Sequence, residues 1–589
     1  MRTLSLIAVL LLPLATHAQP PKATPGNRLA YLDELDPYHP HTKFPKLITP
    51  QWVGEPDVDA VVILAIDDMR DPKKYETFLR PILNRLKKID GRAPVSIMTC
   101  KVDPDDPQLQ TWLKEGLSLE VHTVDHPCPY FKPGFDKAKD TYDRGVDLMH
   151  AIPNNKPVAF RMPCCDSLNT PSPRHWAEIF NKTTAKGNYL SLDSSVFMVY
   201  TSADPELPKE LVLDDGKERF KKYLPTDRKF VNWIENYPYP YVIGKYCWQF
   251  PCMTPSDWQA QFLHKSNNPL TVRDWKAALD CTVIKKGVFT MVFHPHGWIK
   301  AEQIIDLIDH AVEKHGKKLK FLTFKEASDR LDKSLGVINR DPKKLGMYGD
   351  SGLYLLDINN DGFMDVITRT PKLNATRTWQ PAKQVWNSVE TPGHSPKFGI
   401  MQKHGRASMG FGSTWMGGSM TGPLKFEWQA HFDGKNWIND ENIPITQARL
   451  WYRFIDIDGD GICEMIDLHG NVSAYRPDKG WQPLPFKSPM GPFHNGLRFL
   501  DLNGDGKLDL VFSNDKEYGV YLFVDMKTGW KKVRAGKAGD ANSIPMIVKY
   551  GKNNGCWAHS GHLWWANEDT VLLKNNVDRR SFKELLEEK

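Results

Sequence analysis

Four short motifs in the first half of the chain combine the side chains that metal-dependent hydrolysis uses. They are Asp67-Asp68, His122-Thr-Val-Asp-His126-Pro127, Arg161-Met-Pro163 and His294-Pro-His-Gly-Trp298. Two imidazoles and a carboxylate suit a divalent metal, a second carboxylate suits a general base, and a separate histidine suits a general acid. Each motif alone is a weak signal, because His-x-x-x-His pairs arise by chance and Asp pairs often cap helices. The combination of the four indicates a hydrolytic site.

The elements that must position these motifs are predicted to be strands of β/α units. Short apolar runs end at Ile66, Val121, Phe160 and Phe293, directly before the four motifs. Amphipathic helical spacing separates the runs, as at residues 107–115, and this alternation is typical of a parallel sheet or barrel. Because β/α barrels carry their sites at the C-terminal ends of the strands, one edge of the sheet should bring the four motifs together.

The order of the motifs resembles that of the NodB-type polysaccharide deacetylases of the carbohydrate esterase group. The resemblance covers residues 57–335 and implies a distorted (β/α) barrel that closes with a strand at 320–324. The segments that carry it, in chain order, are Asp67-Asp68, His122 to Pro127 as a complete H-[ST]-x-x-H-P motif, Arg161-Met-Pro163, Leu192-Asp-Ser-Ser195 and Met291-Val-Phe-His294.

The resemblance implies hydrolysis of an N-acetyl amide on an acetylated glycan. It assigns a divalent transition metal to Asp68, His122 and His126, with zinc as the first expectation and nickel, cobalt or iron as alternatives. The resemblance also implies that Asp67 is the general base and that Arg161 is the partner that keeps it ionised. His294 is implied to be the general acid and Asp193 the carboxylate that orients it. The backbone N–H of Cys164 is implied to bind the oxyanion. Trp298 either lines the acetyl pocket or packs in the core.

Two departures from the family pattern keep other functions open. Cys164-Cys165 follows Pro163 where the family usually has an aromatic residue, and the His-Pro-x-x-Trp ending after Phe293 is closer to peptidoglycan deacetylases and allantoinase-like enzymes. An O-acetyl esterase or a cyclic-amide hydrolase could use the same site. A non-catalytic glycan-binding or adhesion protein is the alternative from another class.

The second half of the chain, after residue 341, contains three loops with oxygen side chains at positions 1, 3, 5 and 9. This pattern could wrap calcium, although an EF-hand is excluded because position 12 lacks its glutamate. The loops resemble the FG-GAP or VCBS repeats of calcium-binding β-propellers, which implies a binding surface for a glycan or another surface protein. The implied calcium ligands are Asp357, Asn359, Asp361 and Asp365, then Asp456, Asp458, Asp460 and Glu464, then Asp501, Asn503, Asp505 and Asp509.

Length, charge and cysteine content bound the remaining possibilities. The chain has 589 residues and a formal charge of only +6 without a long basic block, which argues against nucleic acid as a partner. An apolar run at 4–14 followed by Thr16-His17-Ala18 predicts a cleaved signal peptide, hence a secreted or periplasmic protein, and no other stretch is long enough to span a membrane. Nine cysteines leave at least one unpaired.

The cysteines and the domain boundaries complete the prediction. Cys128, Cys164 and Cys165 lie next to the motifs, so a disulfide is expected near the site, and Cys247 and Cys252 are a candidate local pair. The predicted organisation is a signal peptide at 1–18, an N-terminal arm at 19–56, the barrel at 57–335, a linker at 336–345, an all-β propeller-like domain at 346–577 and a C-terminal tail at 578–589.

Overall fold

The computed structural model describes residues 40, 44–225, 230–243, 247–337, 353–359, 361–370, 373–391, 430–432, 435–439, 453–460, 464–476, 479–492 and 494–587. The predicted signal peptide, most of the N-terminal arm and most of the predicted linker lie outside these residues. Among the helices of this described part, none is long and apolar enough to cross a membrane.

A curled twelve-stranded sheet organises the first half, and all of its strand pairs are parallel except that of β10 with β11. Its strands are β1 (Ala60–Met69), β2 (Val95–Thr99), β3 (Ser118–Val121), β4 (Ala159–Phe160), β5 (Leu192–Asp193), β6 (Phe197–Val199), β9 (Trp233–Glu235), β10 (Tyr241–Ile243), β11 (Cys247–Gln249), β12 (Cys252–Met253), β13 (Val288–Phe293) and β14 (Leu319–Phe321), while β7 (Leu213–Asp214) and β8 (Lys217–Glu218) form a separate hairpin. The spatial order is β10-β11-β5-β4-β3-β2-β1-β13-β12-β6-β9, with β14 also paired to β1.

Helices connect and cover these strands. They are α1 (Pro72–Asp90), α2 (Pro107–Glu115), α3 (Phe135–Ala151), α4 (Pro173–His175), α5 (Lys209–Val212), α6 (Asp257–His264), α7 (Pro269–Lys285), α8 (Ala301–His315) and α9 (Phe324–Ser334). The apolar faces of the long helices pack onto the sheet, as Leu79, Ile82 and Leu83 of α1 do. Burial of both sheet faces explains why β1 is a continuous apolar run.

Most of the predicted elements agree with the structure, and one ends differently. The helix at 107–115 and the strand ending at Val121 have the predicted bounds. Pro81, which predicts a kink or a restart, instead lies inside one continuous α1. The closing strand predicted at 320–324 stops at Phe321. Thr323 ends it because its side chain caps α9 in a capping box with Glu326.

The second half consists of small antiparallel sheets in sequence. Three of them are four-stranded meanders: β15 (Leu353–Leu356) to β18 (Val385–Glu390), β21 (Arg453–Ile455) to β24 (Gly480–Lys487), and β25 (Arg498–Leu500) to β28 (Gly529–Lys537). Within them lie β16 (Asp365–Thr370), β17 (Leu373–Gln380), β22 (Glu464–Ile466), β23 (Asn471–Arg476), β26 (Asp509–Ser513) and β27 (Glu517–Asp525). The smaller sheets are β19 (Ala430–Phe432) with β20 (Trp437–Asn439), β29 (Val548–Lys549) with β30 (Lys552–Asn553), and β31 (Cys556–His559) with β32 (His562–Trp565) and β33 (Asp578–Ser581).

The first and the last described segments both pack against the rest of the fold. Residues 578–589 were expected to be a tail, yet β33 pairs with β32, and α10 (Phe582–Leu586) buries Leu585 against the last sheets. Gln51 joins the two halves, because its side chain donates to Met364 O at 2.7 Å and its own carbonyl accepts from Trp386 Nε1 at 3.1 Å.

Candidate active site

The four sequence motifs lie together at one edge of the curled sheet. Asp67 and Asp68 lie at the end of β1, just before its last residue Met69, and His122, Arg161 and His294 directly follow β3, β4 and β13. Strands β4, β3, β2, β1 and β13 are parallel and lie side by side in this order, so their C-terminal ends meet at the same edge. The sheet therefore assembles the site from segments more than 200 residues apart in the chain.

Asp68 is the centre of the cluster. Its Oδ1 lies 2.7 Å from His126 Nε2 and 3.2 Å from His122 Nε2. Burial raises the pKa of Asp68, but the facing imidazoles of His122, His126 and His296 outweigh burial and hold it well below its usual range. Oδ1 is buried and makes no hydrogen bond of normal geometry with the described residues. An ionised carboxylate oxygen facing two imidazole nitrogens fits a divalent metal.

The backbone around this cluster is held in an uncommon conformation. Asp68, Thr123, His126 and Cys164 all have positive φ, between 52° and 69°. Residues other than glycine adopt such values at a cost of about 1–3 kcal/mol each, and they concentrate at functional sites. The surrounding fold therefore forces these four residues into position. His122 is fixed further, since its Nδ1 lies 2.8 Å from Arg161 O and leaves Nε2 directed at Asp68.

Arg161 and Asp67 form an ion pair buried from solvent, with Nη1 2.7 Å from Oδ1 and side chains 0% and 3% exposed, respectively. The guanidinium is itself held, because Nε donates to Ser194 O and Nη2 to Ser194 Oγ. Burial of such a charge is tolerated only when it is paired and its other donors are satisfied. The pair leaves Asp67 as a fixed carboxylate beside the cluster around Asp68.

His294 is oriented by Asp257, which the sequence analysis did not identify. The His294 Nδ1 lies 2.7 Å from Asp257 Oδ1, and the His294 backbone N–H donates to Oδ2 at 2.8 Å. Burial lowers the pKa of His294, but the Asp257 carboxylate outweighs it and raises the pKa to about 10. A protonated imidazole held in this way can donate a proton from Nε2.

The expected role of Asp193 as the carboxylate partner of His294 is therefore wrong. Asp193 accepts hydrogen bonds from the backbone N–H and the hydroxyl of Ser195, and Ser195 Oγ in turn accepts from Met162 N. Burial raises the pKa of Asp193 to about 7. It supports the loop that carries Arg161. A strand-end position next to a serine pair does not distinguish these two roles in sequence.

The loop after Arg161 is covalently anchored. Cys164 forms a disulfide with Cys128, with Cα atoms 6.2 Å apart, so the expected disulfide next to the site is present. The Cys164 carbonyl accepts from the backbone N–H groups of Ser167, Leu168 and Asn169. The expected Cys247–Cys252 disulfide is not present: Cys247 lies on β11 and Cys252 on β12, and Cys252 Sγ donates to Ser194 O at 3.0 Å.

Three further side chains contact the cluster. His296 Nε2 lies 3.0 Å from Asp68 Oδ2, and the Trp298 ring meets the His294 ring edge to face at 5.0 Å, which places Trp298 in the site and not in the core. Cys100, at the end of β2, also lies within ligand distance of Asp68 and His122. The His-Pro-His-Gly-Trp spacing pointed to His296 and Trp298. Cys100 had no sequence signal, because only the adjacency of β2 to β1 places it there.

The three Asp-rich loops occupy equivalent places in the second half. Each is the hairpin between the first and second strands of a four-stranded sheet, and position 9 begins the second strand as Asp365, Glu464 or Asp509. Asp509 accepts from Leu502 N and Phe523 N, at 2.9 and 2.8 Å. In the second loop Asp456, Asp458 and Glu464 place one oxygen each within ligand distance of the others. Position 9 thus fixes the loop to the sheet.

Comparison with solved structures returns deacetylases and an allantoinase. The chain is similar to the peptidoglycan deacetylase PdaC from Bacillus subtilis at 15% identity, covering 46% of this chain and 92% of that one, with a TM-score of 0.24. It is similar to the peptidoglycan N-acetylglucosamine deacetylase catalytic domain from Eubacterium rectale (14%, 46% and 92%, TM-score 0.25). It is also similar to the allantoinase PuuE (10%, 49% and 94%, TM-score 0.32). No protein-family model and no curated protein matches the chain.

Proposed function

We propose that the first half is a metal-dependent hydrolase that removes N-acetyl groups from a glycan. The observation that carries the proposal is the convergence of Asp68, His122 and His126 beside the buried Asp67–Arg161 pair and the Asp257-bound His294. This set combines a candidate metal-ligand triad, a base and an acid at one edge of the sheet. A protein that only binds glycans has no need for the base and the acid.

Each side chain has a specific task in this reaction. Asp68, His122 and His126 would hold the metal, which supplies Lewis acidity toward the acetyl carbonyl and acidifies water. Asp67 accepts the proton of the attacking water, and Arg161 pairs with that carboxylate and holds it in place. His294, held by Asp257, donates the proton that the departing amine takes up. The backbone N–H of Cys164, on the loop anchored by its disulfide, donates to the oxyanion.

Zinc is the expected metal because two imidazoles and a carboxylate are its usual ligands at a catalytic centre, and nickel, cobalt and iron are the alternatives.

Trp298 lies against His294 and would form one wall of the acetyl pocket. The apolar run at 4–14 supports export of the protein to the periplasm or the cell exterior. Acetylated glycans are found in both places.

The test is release of acetate from a panel of N-acetylated glycans and peptidoglycan fragments by the purified chain. O-acetylated xylan is the substrate that tests the esterase alternative, and a cyclic amide such as allantoin tests the cyclic-amide alternative. We expect the wild-type chain to release acetate from N-acetylated glycans and the Asp67→Asn variant to lose this activity. Turnover of every substrate class equally by Asp67→Asn would contradict the mechanism, and glycan binding without any turnover would favour the non-catalytic alternative.

We propose further that the sheets of the second half form a calcium-stabilised propeller that attaches the enzyme to a glycan or a surface protein. The support is the equivalent position of the three loops and the shared role of their position 9 residues, Asp365, Glu464 and Asp509. Calcium titration followed by thermal unfolding tests it. We expect a rise in Tm that chelation reverses, and no response to calcium would contradict it.

A further inference from the structure

A second group of metal-ligating side chains lies between α7 and α8, away from the candidate active site. Asp280 of α7 faces His310 and His315 of α8, with Oδ1 3.0 Å from His310 Nε2 and 2.7 Å from His315 Nε2. The three ligand atoms all lie within 4.8 Å of one another, and Asp280 is buried. The two imidazole rings stand almost perpendicular, at 82°, and present the same nitrogen to one point.

The separation of these atoms suits a small divalent cation. A tetrahedral zinc ion with bonds of ~2.0–2.1 Å holds its ligand atoms roughly 3.3 Å apart, so small rotamer changes would open the space it needs. Two imidazoles and a carboxylate occupy three positions and leave a fourth for water. We propose that Asp280, His310 and His315 form a second zinc-type site that ties α7 to α8.

The helix ends favour a cation at this place. His315 is the last residue of α8, before Gly316, and Asp280 lies in the last two turns of α7, which ends at Lys285. Both helices therefore direct the negative ends of their dipoles toward the cluster, and cations are stabilised there. Helix α8 has 15 residues and rises ~1.5 Å per residue, so His315 lies roughly 20 Å from the start of the helix. The proposed zinc site and the candidate active site therefore do not share ligands.

Lys314 is the competing cation. Its Nζ lies 2.8 Å from Asp280 Oδ2, but its side chain is 52% exposed and can turn to solvent when a metal takes the carboxylate. A bound metal would stabilise the packing of α8, whose first residue follows the loop of His294 and Trp298, against α7. The site would act on stability and not in the reaction.

The experiment measures zinc stoichiometry by equilibrium dialysis and elemental analysis in excess calcium, which occupies oxygen-rich loops. The background is the full chain with Asp68→Ala, His122→Ala and His126→Ala, which lacks the ligands of the candidate active site. We expect this variant to keep one zinc per chain and to lose it when His310→Ala and His315→Ala are added. Zinc retained after both histidines are removed, or no zinc in the background variant, overturns the proposal.

Two matched variants separate a metal site from a plain ion-pair network. Lys314→Met removes the competing charge, so zinc affinity should rise several-fold, whereas a network without metal would lose stability and gain no affinity. His150→Ala on α3, far along the chain from the cluster and with its Nε2 3.5 Å from Tyr189 O, should change nothing. If the triple variant does not fold, the same question is answered in the wild-type background. We expect two zinc ions per wild-type chain and one per His310→Ala/His315→Ala chain.

Discussion

Asp257 holds His294 at two points, through its imidazole Nδ1 at 2.7 Å and its backbone N–H at 2.8 Å. Both oxygens of one buried carboxylate are thus used on one residue. The ring can neither flip nor rotate without breaking a charge-assisted hydrogen bond. His294 Nε2 is therefore directed to the side of Asp68, 3.9 Å from its Oδ2.

Replacing Asp257 by asparagine should lower kcat by roughly 10²-fold, the lower end of what general acid catalysis contributes. The amide can still accept one hydrogen bond, so the fold and KM should change little, but the imidazole loses the anion that keeps it protonated. Steady-state kinetics on the best acetylated substrate measures the effect. Asp193→Asn is the matched control and should retain most activity, and equal losses in the two variants would contradict the assignment of the orienting carboxylate to Asp257.

The Asp67–Arg161 pair should be costly to break on one side only. Arg161→Met leaves the Asp67 carboxylate buried without a partner, and we expect it to lower the free energy of unfolding by about 3–5 kcal/mol. The double variant Asp67→Asn/Arg161→Met should recover a large part of this loss. Urea unfolding of the single and double variants measures it.

The control for this prediction is an exposed pair of the same kind. Arg144 bonds Asp125 at the surface, with side chains 46% and 58% exposed, so Arg144→Met should cost less than about 1 kcal/mol. Equal costs at Arg161 and Arg144, or no recovery in the double variant, would show that the buried pair is not the source of the effect.

His175 predicts how stability depends on pH. It is fully buried among the rings of Phe160, Tyr142 and Trp176, and burial lowers its pKa to about 3. The unfolded chain has an ordinary histidine pKa of ~6.5 and so binds more protons between these values. Stability from the neutral ring is complete above pH ~6.5 and is lost as the pH falls toward 3.

At pH 5.5 this one group should cost about 1 kcal/mol of the free energy of unfolding relative to pH 7.5. His175→Phe keeps the aromatic packing and should remove that share of the pH dependence. Denaturant unfolding at several pH values measures both chains. His469→Phe is the control, because His469 is exposed at the surface; identical pH profiles of His175→Phe and wild type would contradict the prediction.

The sequence predicted the strand ends and missed what only tertiary contact supplies. Asp67, His122 and His294 were found because continuous apolar runs mark the buried parallel strands that precede them. Asp257 was not found because it is the first residue of α6, and an acidic residue at a helix N-terminus is ordinarily explained by its favourable interaction with the helix dipole. Cys252 was placed in a local pair because spacing along the chain does not show that β11 and β12 pair with different neighbours in the sheet.

The disulfide between Cys128 and Cys164 should contribute to stability and to the site together. Closing a loop with a sequence separation of 36 removes unfolded-chain entropy worth roughly 3–4 kcal/mol. Cys128→Ser/Cys164→Ser should lose about this much and should also lower kcat, since the Cys164 loop follows Arg161. Thermal unfolding with and without a reducing agent measures it, and a reducing agent that destabilises the double variant as much as wild type would contradict the prediction.

Asp509 and Asp505 separate the structural role of a loop from calcium binding. Asp509 uses one oxygen on Leu502 N and the other on Phe523 N, so Asp509→Asn leaves one buried N–H without an acceptor and should cost about 1–3 kcal/mol with or without calcium. Asp505 is exposed, and Asp505→Asn should lower the Tm only when calcium is present, because the loop then loses a ligand. Thermal unfolding of both variants in calcium and in chelator measures the difference, and a loss for Asp505→Asn in chelator that equals its loss in calcium would mean that the loop acts without the ion.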